Sequence, residues 1–514
     1  MAAGGIAAGI YATNNPEACK YITNHSKAKV VVVEGEKQLE KYAAIVGELP
    51  ELEVIVVYGV DEVPSNLKES IKNSSSVTVY SFEEFQELGK DVPDATSKQR
   101  VEGQKANQTC SLIYTSGTTG TPKAVMITND NICWTAQTLL TQIPRELNSS
   151  DSMVSYLPLS HIAAQVNDLY APIFTGMQVW FAQPDALKGT LVETLKEVRP
   201  TIFFGVPRVW EKIYMKMQEV ASTIEGFKKT VSTWSKSHAL EYHKSKQFAA
   251  LQNAPICSTA PIFYPFAKAV LRKVHISLGL DRCIACYVGA APVEPKIIEY
   301  FASIDLPIYD VFGQSECTGP HAINSSKAWQ IGTCGRALPG TETKIIEETG
   351  ELCYRGRHIF AGYMGKEKET SETIDKEGWL HSVDTAKIDA DGFITITGRI
   401  KELIITAGGE NVPPVLIEDQ FKLAMPALSN CMVIGDQRKF LSILLCLQVE
   451  VDEDGNPTDK LCGEALSTSK AIGSDATTTA EAIKCQHWKD YFNKVSACIR
   501  NKSNISLIDF FVCS

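Results

Sequence analysis

No uninterrupted apolar run in this sequence approaches the ~18–20 residues that a membrane-crossing helix requires, so any membrane contact is expected to be peripheral. A basic surplus is missing too: 50 Lys and Arg stand against 60 Asp and Glu, a formal charge of -10 at pH 7. Holding nucleic acid by phosphate neutralisation wants a basic field, so no nucleic-acid partner is expected. Residues 1–13 are small and apolar but contain no Lys or Arg, and Gly4, Gly5 and Gly9 weaken any helix, which argues against a signal peptide. Cysteine is not scarce, but its 15 copies are odd in number and scattered from Cys19 to Cys513. A secreted disulfide framework would show compact, regular spacing. We therefore read reduced thiols in a cytoplasmic protein. Cys283 and Cys286 make the only C-x-x-C pair, and its surroundings (Ile284, Ala285, Tyr287, Val288) are those of a buried strand with no further zinc ligands.

What the chain does contain is enough length, 514 residues, for about three domain-sized units with a core that needs no staples. At 44% hydrophobic and 21% charged residues, wholesale disorder is excluded. Between residues 29 and 409 short β-rich runs alternate with segments of helical period: Val30-Val31-Val32-Val33, Val54-Ile55-Val56-Val57, Val77-Thr78-Val79-Tyr80, Ser111-Leu112-Ile113-Tyr114 and Thr201-Ile202-Phe203-Phe204. This rhythm predicts an α/β fold: a large N-terminal domain, residues 1–399, of mainly parallel sheets flanked by helices. Residues 207–250 carry Val209, Ile213, Met217 and Val220 at helical spacing among Lys and Glu, which reads as a surface helix. Past Arg399 the pattern becomes a compact strand and helix set, with Cys431-Met432-Val433-Ile434-Gly435 and Leu441-Ser442-Ile443-Leu444-Leu445-Cys446, so residues 400–514 are expected to form a small mobile α+β lid domain. Residues 452–479, rich in Asp, Gly, Ser and Thr, read as a mobile loop.

The segment richest in chemistry is Tyr114-Thr115-Ser116-Gly117-Thr118-Thr119-Gly120-Thr121-Pro122-Lys123-Ala124, directly after a predicted strand. Glycines let backbone N–H groups approach phosphate oxygens, hydroxyls donate hydrogen bonds, and Lys123 offers a cation for charge building on a leaving pyrophosphate. Composition alone also admits a solvated turn. A Walker A loop is disfavoured, because G-x-x-x-x-G-K-[ST] would need Gly at Pro122 and Ser or Thr at Ala124.

In order and spacing this run resembles the phosphate loop of the adenylate-forming superfamily of acyl-CoA synthetases, luciferases and peptide-synthetase adenylation domains. Three further segments resemble that family in the right order: Phe312-Gly313-Gln314-Ser315-Glu316, the ribose-strand segment Gly378-Trp379-Leu380-His381-Ser382-Val383-Asp384, and the hinge Gly398-Arg399-Ile400-Lys401-Glu402. The resemblance implies ATP, CoA and Mg²⁺ as co-substrates and cofactor. It implies a nucleotide site of Thr115, Ser116, Gly117, Thr118, Thr119, Gly120, Lys123, Gly289, Ala290, Ala291, Phe312, Gly313, Gln314, Ser315, Asp384 and Arg399. Glu316 and the Thr115 hydroxyl would hold the metal, Asp384 and Arg399 the ribose, and Phe312 one face of adenine; Phe312 reads equally as core. Lys123, His161 and Glu316 would be catalytic. His161, in Tyr156-Leu157-Pro158-Leu159-Ser160-His161, would orient the substrate carboxylate and screen its charge, although alone it reads as a core histidine. Phe203-Phe204-Gly205-Val206-Pro207-Arg208-Val209-Trp210 would wall an acyl tunnel or simply pack.

Thr406-Ala407-Gly408-Gly409-Glu410-Asn411-Val412-Pro413-Pro414, Gly5-Ile6-Ala7-Ala8-Gly9-Ile10-Tyr11 and Gly435-Asp436-Gln437-Arg438-Lys439-Phe440 are similar to the bubblegum-type long-chain and very-long-chain fatty acyl-CoA synthetases. That branch implies a ligase joining fatty acid to CoA, with Gly408 and Gly409 in the CoA channel, rotation of the lid near Lys401, and a place on the cytosolic face of the endoplasmic reticulum or another membrane. The chain departs from the pattern in four respects. Substantial sequence ordinarily precedes the segment matched by residues 2–18, so the large domain is expected to be incomplete at its start. The C-terminal lid lysine motif is absent, and Lys502 lacks its surroundings. Val383 replaces the usual Gly before Asp384, a costly exchange if the position needs positive φ. Gln165 stands where some long-chain enzymes carry a gate Trp. These departures keep open a catalytically impaired isoform that binds nucleotide or acyl-adenylate; acyl transfer to a carrier-protein phosphopantetheine is a further alternative.

Overall fold

The valine runs form strands because β-branched side chains fit a pleated surface and crowd a helix. In the computed structural model, which describes residues 3–115, 121–247, 262–405, 407, 411–412, 414–438, 440–452, 457–503 and 508–512, Val54–Tyr58 runs parallel to Val30–Glu34 on one side and Thr78–Ser81 on the other. Helices Gly35–Ala43 and Ser65–Ser74 make the crossovers and bury Leu39, Tyr42 and Ile71 against the sheet. A second sheet has the order Arg336–Ala337, Gly319–Ile323, Ile308–Gln314, Ala285–Gly289, Ile202–Gly205. Its last three strands are parallel, and the first two are antiparallel additions. Thr109–Thr115 lies between Ala7–Ala8, parallel to it, and Lys123–Thr128, antiparallel. A four-stranded sheet, Glu342–Ile345, Glu351–Arg355, Leu380–Ile388 and Ile394–Arg399, is antiparallel throughout. The α/β class is as expected, with parallel, mixed and antiparallel sheets.

A separate core is built entirely from residues between Ile404 and Ile499, including Phe421, Met425, Ile443, Leu445 and Trp488. The hairpin Leu428–Ile434 and Leu441–Leu447 alternates buried and exposed side chains, and helix Pro414–Ala424 covers it. Two expectations are corrected here. Residues 457–461 form a strand and 463–471 a helix where a loop was read. Leu461 and Ala465 are buried, and the Ser469 hydroxyl donates to the Ala476 carbonyl at 2.7 Å; the Ser and Thr residues act as local caps and turns, as in the Thr478 and Glu481 capping box. Residues 207–250 are two helices, Pro207–Ser222 and Gly226–Gln247, with 248–250 outside the described residues. The second is only partly a surface helix, since Ser235, Ala239 and His243 are buried and His243 Nε2 meets Asp305 Oδ1 at 2.7 Å.

The strands that position the site turn on Gly313. A Cβ built there would lie 1.8 Å from the Gly319 carbonyl oxygen, so only glycine lets Ile308–Gln314 and Gly319–Ile323 close on one 3₁₀ turn, Ser315–Cys317. Gly313→Ala is expected to destabilise the chain by about 3 kcal/mol, at the high end for overpacking, read as a lower urea midpoint; an unchanged midpoint would contradict the tight closure.

Candidate active site

Thr109–Thr115 is buried along nearly its whole length, so its last residue is held rigidly. Ser116, Gly117, Thr118, Thr119 and Gly120 lie outside the described residues. The rims are clear: Thr115 pairs directly with Lys123 across the antiparallel ladder. Lys123 Nζ stands 4.6 Å from the centre of the Tyr363 ring, and the Tyr363 hydroxyl donates to Glu316 Oε1 at 2.7 Å. Burial first, then the Glu316 charge, pushes the Tyr363 hydroxyl pKa upward, so it stays a donor. Lysine, aromatic face, hydroxyl and carboxylate form one row, in which a cation–π contact and a charge-assisted hydrogen bond fix each other.

Tyr363 had not been singled out from the sequence. Between Gly362 and Met364 it carries no signature of its own; its place comes from backbone bonds to the Lys123–Thr128 strand, Met126 N to Gly362 O at 3.0 Å and Met364 N to Ala124 O at 3.0 Å. Its own N–H donates to Thr370 Oγ1 at 2.9 Å. Glu316 is fixed from the other side, its carbonyl accepting from Phe360 N at 2.9 Å. Beside it, Gln314 Nε2 donates to the Tyr354 hydroxyl at 2.5 Å. With Glu316 Oε1 engaged by Tyr363, the residue offers a half-buried carboxylate at the end of the row that begins at Thr115 and Lys123. Hard oxygen donors of this kind suit Mg²⁺.

The nearby antiparallel sheet brings Asp384 and Arg399 directly opposite one another, with Arg399 Nε donating to Asp384 Oδ1 at 3.1 Å. The carboxylate side chain is 8% exposed and the guanidinium 59%. Desolvation pushes Asp384 up to about 6; Arg399 opposes the rise, and the charges of Glu402 and Glu316 add to it. A mostly buried carboxylate of this kind is a strong hydrogen-bond acceptor for hydroxyl groups. Val383 sits at φ 64°, the left-handed region the sequence had flagged, and Glu351 Oε1 accepts its N–H at 3.0 Å.

Gly289 is buried with the Val311 carbonyl 2.8 Å from where a Cβ would be, and Ala290, at φ 75°, leads with Ala291 into an exposed bend. Phe312 is half-buried against the core of the Thr109–Thr115 strand. His161 caps the turn Ile162–Ala164, its Nδ1 accepting from Ala163 N at 3.2 Å. Burial lowers its pKa and so disfavours the charged ring, and with Nδ1 accepting from the backbone it is Nε2 that is left to donate. Ile162 of that turn and Val166, in the segment that follows it, line Gly319, two residues past the Glu316 turn. Gln165 is buried and tied to Ser111 Oγ at 3.1 Å and the Leu159 carbonyl at 2.8 Å, a fixed wall. Phe203 and Trp210 pack in the core, edge to face at 5.2 Å. Lys401 lies on the turn Ile400–Glu402, and Gly408 and Gly409 fall outside the described residues.

The family profile of the AMP-binding enzymes matches residues 1–364, and the chain belongs to that family. Among curated relatives, the long-chain-fatty-acid–CoA ligase ACSBG2 of Xenopus laevis is 46% identical over 489 residues, covering 94% of this chain and 64% of the relative. The Homo sapiens protein of that name is 43% identical over 491 residues, covering 94% and 71%. The chain thus spans less than two thirds of the Xenopus relative. Among solved structures, the anthranilate CoA ligase AuaEII in complex with anthranoyl-AMP superposes with a TM-score of 0.61 at 18% identity, covering 98% of this chain and 78% of that one. The A domain of a carboxylic acid reductase from Segniliparus rugosus, in complex with AMP and a co-purified carboxylic acid, gives 0.63 at 18%, covering 98% and 72%. Both share the fold. No helix among the described residues is long and apolar enough to cross a membrane.

A β-branched residue held at positive φ stores about 1–3 kcal/mol. Val383→Gly is therefore expected to stabilise the chain by about 1 kcal/mol, after glycine's own entropy cost, and to raise the thermal midpoint; a lowered midpoint would count against strain at this position.

Proposed function

We propose that the chain is a long-chain fatty acid:CoA ligase that first makes acyl-AMP and pyrophosphate from fatty acid and ATP, then acyl-CoA and AMP. The observation that carries this reading is the row Thr115, Lys123, Tyr363, Glu316 set beside Asp384 and Arg399. The names of the 42–46% identical relatives support the substrate class.

The chemical difficulty is that a carboxylate must approach an anionic α-phosphate. His161, neutral with Nε2–H, would orient the carboxylate by a hydrogen bond, and Lys123 would take up charge as the bond to pyrophosphate breaks. Asp384 accepts from the ribose hydroxyls while Arg399 holds its other side. Glu316 and the Thr115 hydroxyl would hold Mg²⁺, which when bound offsets phosphate charge. In the second step the CoA thiolate attacks the acyl carbonyl and AMP leaves with its bonding pair. We infer that the unit built on the 404–499 core is the lid and that it turns about the Ile400–Glu402 segment between the two steps.

Release of AMP from Mg-ATP and CoA is expected only when palmitate or another long-chain acid is added. Lys123→Ala and Glu316→Gln should each lower kcat/KM by about 10²–10³, the cost of removing one preorganised charge partner; palmitate-independent AMP, or full turnover in both variants, would refute the assignment. Absence of AMP in a folded preparation that still binds acyl-AMP would favour the impaired-isoform reading, for which strained Val383 beside Asp384 is the structural motive. Asp384, pushed up to about 6, is ionised at neutral pH and gains a proton as the pH falls through that value. AMP affinity should therefore weaken below about pH 6 as the acceptor is lost, and Asp384→Asn should bind weakly with that pH dependence removed.

A further inference from the structure

On the same antiparallel sheet, Cys353 of Glu351–Arg355 pairs directly with His381 of Leu380–Ile388. Their side chains meet, Cys353 Sγ lying 3.5 Å from His381 Nδ1. An irregularity in the ladder between Glu351 and Cys353 swings the Glu351 carboxylate onto the same spot, with Oε2 2.9 Å from His381 Nδ1. Sulfur, nitrogen and oxygen all lie within 4.8 Å of one another. Tetrahedral zinc with bonds of about 2.0–2.3 Å requires ligand-to-ligand separations of about 3.3–3.7 Å, so small side-chain adjustments would admit the ion. The far nitrogen of His381 faces a carboxylate, Asp375 Oδ2 at 3.7 Å from Nε2, the arrangement by which ligating histidines are oriented. Cys353 is buried, while His381 and Asp375 are each 32% exposed, which leaves an entry path from solvent. Glu351 Oε1 holds Val383 N–H in the left-handed bulge next to Asp384, so it is Oε2 that faces the cluster.

We propose that Glu351, Cys353 and His381 bind one thiophilic divalent cation of the zinc class, with Asp375 orienting the histidine and the fourth position open to water. Binding exchanges the Cys353 thiol proton, released to solvent, for a sulfur–metal bond, and involves no oxidant or reductant. A mixed S, N, O set of this kind selects zinc or cobalt over the Mg²⁺ suited to Glu316 and Thr115. By bridging the two strands at the bulge, the ion would brace the backbone that carries Asp384. The proposal stands independently of the ligase reading, because its test measures metal and not turnover.

The purified full chain is dialysed against buffered Zn²⁺ and, separately, titrated with Co²⁺ while thiolate-to-cobalt charge-transfer absorption is followed. The wild type should bind one equivalent of zinc more than either Cys353→Ser or His381→Asn, show a cobalt–thiolate band that both variants lack, and gain thermal stability from zinc that His381→Asn does not. His381→Asn alters a partly exposed side chain, so it keeps the test informative if Cys353→Ser fails to fold. Equal zinc stoichiometry in wild type and His381→Asn, or an unchanged cobalt band, would overturn the proposal and leave these groups as a hydrogen-bonded pair with a neighbouring thiol.

Discussion

Because the Gly319 carbonyl occupies the space a Cβ at residue 313 would need, the chain can reverse within Ser315–Cys317 and deliver Glu316 beside the Lys123 strand. From that closure the rest of the constellation follows. The Glu316 carboxylate anchors the Tyr363 hydroxyl, the Tyr363 ring gives Lys123 its seat, and Lys123 lies opposite Thr115 at the end of the Thr109–Thr115 strand. Each link is modest alone, but the strands that bear them are fixed by backbone ladders, so the groups need little reordering to act together. Electrostatic preorganisation is built here from backbone closure before any side chain is considered.

The sequence made the parallel strands legible because runs such as Val54–Val57 announce themselves by β-branching, and the order of four motifs pointed to Thr115, Lys123, Glu316, Asp384 and Arg399, whose contacts with one another or through Tyr363 the fold supplies. Tyr363 was not, since a tyrosine flanked by glycine and methionine has no pattern that separates it from packing; only the bonds to the Lys123–Thr128 strand give it a role. The helix and strand between residues 457 and 471 were missed for the opposite reason. Their Ser and Thr content suggested a loop, whereas the hydroxyls satisfy backbone carbonyls around small buried residues such as Ala465. Val383 drew notice only because it stands where the resembling family usually has Gly, a costly exchange if the backbone there needs positive φ, and its φ of 64° meets that condition. Phe203 and Trp210 remained ambiguous in sequence, since large aromatics serve a tunnel wall and a core equally well.

His161 illustrates how a single hydrogen bond decides chemistry. An imidazole whose Nδ1 accepts from the backbone and whose surroundings disfavour charge is held to one tautomer, and what it can offer a neighbour becomes directional instead of merely electrostatic.

Glu402, on the short connector after the Ile394–Arg399 strand, is one of the charges that raise the proton affinity of Asp384. Any turning of the connector that withdrew Glu402 would lower the proton affinity of Asp384 and keep its carboxylate ionised to lower pH. The junction is thus an electrical link as well as a covalent one: where a single carboxylate on the connector stands bears on the charge of a buried aspartate in the adjoining sheet, with no chain of moving contacts between them.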